Sequence, residues 1–141
     1  MKTIVVLAVS IVLVSILFCP MVMSAPSMPN DVQMVQPDPS LPKELAAFWG
    51  KWDGLPGVDQ YFLIVEKIDE QKASLYVWRS GPAGTGWEGY EAKVIKDRGK
   101  YKLWFQSRYS SIELTLKGEY LDWSGAPKGG PDAGARFIRV R

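Results

Sequence analysis

The chain has 141 residues, with seventeen Lys and Arg against fifteen Asp and Glu, a formal charge of +2, no histidine and one cysteine. That length fits one domain with a real core, and the near balance of charge gives no basis for binding nucleic acid or an anionic membrane. With no His, and with Cys19 confined to an apolar leader, the rest of the chain cannot build a His/Cys zinc or haem site, a disulfide, a Ser-His-Asp triad or a Cys-His nucleophile pair. No cofactor and no metal are therefore expected.

Residues 1–24 read as a secretory signal. Lys2 supplies the positive start, residues 4–18 are an almost unbroken apolar run, and Pro20 ends any helix. Val22 and Ser24 stand three and one residues before Ala25, which places cleavage after Ser24. A cut after Ala25 would be followed by Pro26. Two other readings stay open: an uncleaved anchor spanning roughly 20 residues, and a lipidated Cys19, which bulky Phe18 disfavours. All three put the globular part outside the cytoplasm, in a periplasmic or extracellular setting. Membrane attachment is expected only if the leader is retained.

Residues 25–40 carry Pro26, Pro29, Pro37 and Pro39 among polar residues, and read as an extended, disordered linker with too little apolar surface to offset its ordering entropy. Ser40, Pro42 and Glu44 mark the start of a short helix, with Ser40 or a neighbour as cap, and Gly50 ends it.

Residues 41–141 then show period two, broken by a turn about every ten residues. Eight strands are predicted, over 49–53, 59–68, 72–79, 87–96, 100–106, 111–117, 120–124 and 136–141. Glycine-rich loops are expected over 80–86 and 125–134, and tight turns at Gly99 and Gly118. Eight short sequential antiparallel strands fit an all-β up-and-down barrel behind one short helix, because closure removes exposed edges. A β-sandwich is the alternative.

In the sixth strand Ile112, Leu114 and Leu116 share a face opposite Glu113 and Thr115, and Tyr101, Leu103 and Phe105 do the same in the fifth. The second and third strands are apolar on both faces, with Phe62, Ile64 and Ile68 on one parity and Tyr61, Leu63 and Val65 on the other. Such a sheet is covered on both sides or seeks a partner. The cover expected here is the helix around Leu45–Phe48, ahead of a homodimer or envelope-protein contact.

Gly50-Lys51-Trp52, after a short helix and opening the first strand, resembles the Gly-x-Trp signature of the calycin group, which includes lipocalins, fatty-acid-binding proteins and avidins. The resemblance implies a barrel closed at one end by Trp52, beneath an arginine of the last strand. Arg139 matches that residue, with Arg136 as the alternative. The segments 48–54 and 62–68 are also similar to small exported bacterial proteins without an assigned activity. A barrel this small is largely filled by its own side chains, so room for one small ligand, or none, is expected.

Tyr76 and Trp78 precede the first glycine-rich loop and Trp87 follows it, so these three aromatics are the predicted lining of a pocket at the open end. Trp104 falls on the polar face of its strand. The glycines at 81, 84 and 86 do not make a nucleotide loop, because a strand pattern follows instead of a helix. Carboxylates are the remaining acid–base groups, and Glu66 with Asp53 is the pair a hydrolase would use. The leading expectation is an exported, non-catalytic barrel that binds a small apolar, aromatic or sugar-like molecule. A protein-interaction module (an inhibitor or envelope assembly factor) and a carboxylate-dependent hydrolase are the alternatives.

Overall fold

The computed structural model describes residues 26–55, 60–81, 84–127 and 133–141. The leader expected over 1–24 lies outside them. One short helix, α1 (Lys43–Ala46), precedes eight strands: β1 (Gly50–Gly54), β2 (Gln60–Ile68), β3 (Lys72–Gly81), β4 (Gly84–Asp97), β5 (Lys100–Gln106), β6 (Ser110–Lys117), β7 (Tyr120–Pro127) and β8 (Ala133–Arg139). Each strand pairs antiparallel with the next, and β8 returns to β1 through Trp52↔Arg139, Asp53↔Ile138 and Gly54↔Phe137. The sheet is a closed up-and-down barrel, with no sandwich layer.

Alternation fills the interior. Leu63, Val65, Leu75, Val77, Leu103, Phe105, Ile112, Leu114, Leu121 and Phe137 are buried and belong to one apolar cluster. In β2 the register shifts between Val65 and Lys67, a bulge at Glu66. The extra residue turns Ile68 to the same side as Val65, although the two differ in parity, so both enter the core. The turns obey local chemistry. Arg98 and Gly99 have φ of 49° and 80° between the paired residues Asp97 and Lys100, the mirror-type turn that suits a two-residue hairpin. Asp69 accepts from the amides of Gln71 and Lys72 at 2.8 and 2.9 Å and fixes the β2–β3 turn.

The expected loops are shorter than the sequence implied. Ser80 pairs with Thr85 and Gly81 with Gly84, so the β3–β4 ladder runs through most of the glycine-rich stretch. In β7, likewise, pairing continues to Gly125↔Ala133. The helix start also differs. Pro42 occupies the N-cap without a side-chain bond, while the Ser40 hydroxyl bonds to Asp38. Nor does the helix cover the outside of β2 and β3: Leu41, Leu45 and Phe48 join the core cluster and plug the end of the barrel from which β1 departs.

That plug is locked by the segment resembling the calycin signature. Trp52 is 1% exposed and donates its indole N–H to the Phe48 carbonyl at 2.9 Å. The Arg139 guanidinium lies over the indole, 4.2 Å from its centroid, and donates to the carbonyls of Trp49, at 2.6 Å, and Ala47. Gly50 has a φ of +128°, and a Cβ there would stand 2.7 Å from an Arg139 nitrogen. Only glycine permits both the turn from helix to strand and the close approach of the arginine. Burial lowers the pKa of Arg139 from its usual value, yet a guanidinium stays charged at any physiological pH. Outside the barrel, Arg136 grips Asp122 across the β7–β8 pair with two bonds of 2.6 and 3.0 Å, and Lys117 adds a contact of 2.9 Å.

Two measurements check these clasps. Arg139→Ala is expected to lower unfolding free energy by about 2 kcal/mol through lost charged hydrogen bonds and ring contact, and Gly50→Ala by about 1–3 kcal/mol through backbone strain, both read by urea melts. Arg136 and then Lys117 hold the Asp122 carboxyl down to about 2. Its stabilisation is therefore complete above the ordinary carboxylate range and is lost as pH falls through that value, so the stability of Asp122→Asn should fall less between about pH 5 and pH 2 than that of the parent.

Candidate functional site

The end of the barrel opposite the plug is hollow. A cavity of about 570 Å³ opens there, bounded by the long β3–β4 hairpin, the β5–β6 turn and the upper part of β7. Its apolar wall comes from inward positions near the mouth: Tyr61 on β2, Val77 on β3, Tyr90 on β4, Ile112 on β6 and Trp123 on β7. Trp123 is the hub of this wall. Its ring lies 5.6 Å from Tyr61, 5.8 Å from Phe105 edge-on and 6.1 Å from Phe137 in a stacked arrangement. Gly125, the next inward position on β7, borders the cavity without a side chain, and a Cβ there would stand 3.4 Å from the Trp123 indole nitrogen.

Polar groups ring the opening. Arg79, the inward residue after Val77, places its guanidinium 5.6 Å from the centre of the Tyr109 ring. No salt bridge holds Arg79 among the described residues. Glu88, opposite Val77 in the ladder, accepts the Tyr90 hydroxyl proton. Ser107 fixes the β5–β6 turn: its hydroxyl accepts the Ser110 amide at 3.0 Å and donates to the Ser110 carbonyl at 2.9 Å. Among the described residues the mouth thus combines flat apolar faces with one cation, one carboxylate and several hydroxyls, a mix suited to holding a small molecule by its face and orienting it by its edge.

Of the sequence-predicted lining, Trp87 borders the cavity and Tyr76 and Trp78 do not. Tyr76 and Trp78 alternate with inward Leu75 and Val77, so they stand on the outer face of β3, and neither lines the cavity. Trp87 is paired with Trp78 and borders the cavity, but its indole N–H donates outward to the Ser27 carbonyl at 2.9 Å. The three aromatics stand side by side on the outer face of β3 and β4, and of them Trp87 also borders the cavity. Trp104 lies on the outer face, as its parity requires, with the Lys93 ammonium 5.8 Å from its ring.

Neither carboxylate of the hydrolase pair reaches the cavity. Asp53 lies opposite Phe62, with its pKa raised by burial, whereas Glu66 sits four residues further along β2 at the bulge and accepts the Gln33 amide. Among the described residues no three His, Cys, Asp or Glu side chains gather into a metal-binding group.

Tyr90 carries the clearest electrostatic signature of the site. Burial first, and then the hydrogen bond to Glu88, holds its phenol above the ordinary tyrosine range. In an ultraviolet-monitored alkaline titration of the six tyrosines, the last to ionise should be absent in Tyr90→Phe and should ionise earlier in Glu88→Gln. Neither a protein-family model nor a curated protein sequence matches the chain.

Proposed function

We propose that the protein is an exported, non-catalytic barrel of calycin type that binds one small molecule with an apolar or aromatic body in the cavity at its open end. The single observation that carries this reading is the uneven filling of the barrel. One apolar cluster runs from Trp52 to Phe105 and Phe137, the hollow against Trp52 and Arg139 at the plugged end is about 310 Å³, and the mouth above Trp123 keeps about 570 Å³. A void of that size is within the range of small-molecule pockets. The geometry of Gly50, Trp52 and Arg139 supports the calycin assignment, and the leader read from residues 1–24 supports export.

Binding would follow from surface removed from water, at about 25 cal/mol per Å² of apolar contact. Trp123, Tyr61 and Tyr90 offer faces to an aromatic or sugar ring, and Arg79, Glu88, Tyr109 and Ser110 offer polar contacts at its rim. Among the described lining residues Glu88 is the one carboxylate, and its hydrogen-bond partner is a phenol rather than a second acid, which favours binding over a two-carboxylate hydrolase.

Titration of the full chain with a naphthalene-sulfonate dye, indole derivatives and short oligosaccharides, followed by tryptophan fluorescence, tests the reading. The expected result is saturable one-to-one quenching by at least one class. Ser110→Phe should narrow the mouth and weaken it about tenfold or more, equivalent to at least about 1.4 kcal/mol. No response from the parent chain to any member of the panel would overturn the proposal.

A further inference from the structure

The aromatic group on the outer face of β3 and β4 faces a segment of its own chain. Residues 26–35 run along the outside of β2, β3 and β4, without helix or strand. The Trp87 indole N–H donates to the Ser27 carbonyl at 2.9 Å, and the Tyr76 hydroxyl donates to an Asp31 carboxylate oxygen at 3.2 Å. Further along, the amides of Gln33 and Val35 donate to the Glu66 carboxylate and carbonyl at 3.3 and 2.9 Å. Pro26, Met28, Pro29, Val32 and Met34 are half-buried, while Ser27, Asn30, Asp31 and Gln33 are exposed. The segment has one side toward the barrel and one toward water.

The surface beneath it is built to receive such a chain. The Tyr76 ring lies close over Gly89, where an added Cβ would stand 3.3 Å from a ring carbon. The missing side chain lets the ring lie flat against the sheet. Phe62 and Trp78 pack edge to face at 5.4 Å beside it. Ile64 is 3% exposed although it lies on the outer face, outside the core cluster. Flat aromatics with an indole N–H aimed at a carbonyl next to proline are the general means by which proteins hold extended proline-rich segments, whose stiffness limits the entropy lost on binding.

We propose that the outer face of β2–β4 is a docking site for an extended, proline-containing protein segment with an acidic side chain four residues beyond the accepting carbonyl. Residues 26–35 occupy it in cis, and a partner segment of the same chemistry displaces them. Displacement is feasible because no residue from 26 to 40 is buried and the bonds to Trp87, Tyr76 and the Glu66 carboxylate are all exposed. A tethered occupant competes at an effective concentration of about millimolar, which keeps the face covered until a partner outcompetes it.

The test uses the full chain and a labelled peptide reproducing residues 25–36. Pro26→Ala, Pro29→Ala and Asp31→Ala are combined in the chain to weaken its own segment, and amide exchange at Gln33 and Val35 reports the opening. The opened chain is expected to bind the peptide at least about tenfold more tightly than the parent. Adding Trp87→Phe, which keeps a ring and loses the N–H, should cost about fivefold. A scrambled peptide should not bind, and Ser110→Phe should have no effect, which separates this face from the cavity. Failure of the opened chain to bind at millimolar peptide would overturn the proposal, as would equal binding of the scrambled peptide or a segment that stays protected despite the three substitutions.

Discussion

Closure of β8 onto β1 sets everything else in this barrel. Eight strands can form a ring only if the last finds the first in a register that leaves no edge, and here that register is fixed at one pole by Arg139 over Trp52. The guanidinium acts on both partners of the joint. Its ring contact holds β1 from within, and its bonds to the carbonyls of Ala47 and Trp49 satisfy backbone groups in the turn that follows α1. A short helix with no side-chain cap is thereby held in place by the strand it plugs.

With one pole fixed, side-chain volume decides the interior. Near the plug, Leu41, Leu45 and Phe48 come in from outside the strand ladder to meet Trp52 of β1 and fill space the strands alone would leave empty. Among the described residues nothing comparable enters from the other end. There the strands of the β3–β4 hairpin continue upward while the inward positions become glycine, serine and charged residues. The hollow is thus a consequence of asymmetry: a helical plug at one pole, and small or polar inward residues at the other.

Much of this was legible in the sequence, for reasons that can be named. Strand number and order followed from period two and turn spacing, and the Gly50–Trp52–Arg139 lock from a short motif at the right place in the chain. Tyr76, Trp78 and Trp87 were chosen as cavity lining by nearness to a glycine-rich stretch, and only Trp87 of the three borders the cavity. Parity held the better signal: counting on by twos from Leu75 and Val77 leads to Arg79, and from Leu121 to Trp123, both at the mouth. The bulge at Glu66 carries no such signal, since one extra residue in a strand apolar on both faces leaves the pattern unchanged. The seating of residues 26–35 was hidden for a similar reason. Proline-rich composition describes how weakly a segment orders alone, and does not register an aromatic face elsewhere in the chain that can hold it.

Trp87 belongs to both surfaces, bordering the hollow on one side of the wall and gripping Ser27 on the other. Were the mouth to hold a ligand as proposed, an occupant that favoured one setting of that ring would shift the grip on residues 26–35, and release of those residues would shift the affinity of the mouth by the same factor, since linkage between two binding equilibria is reciprocal.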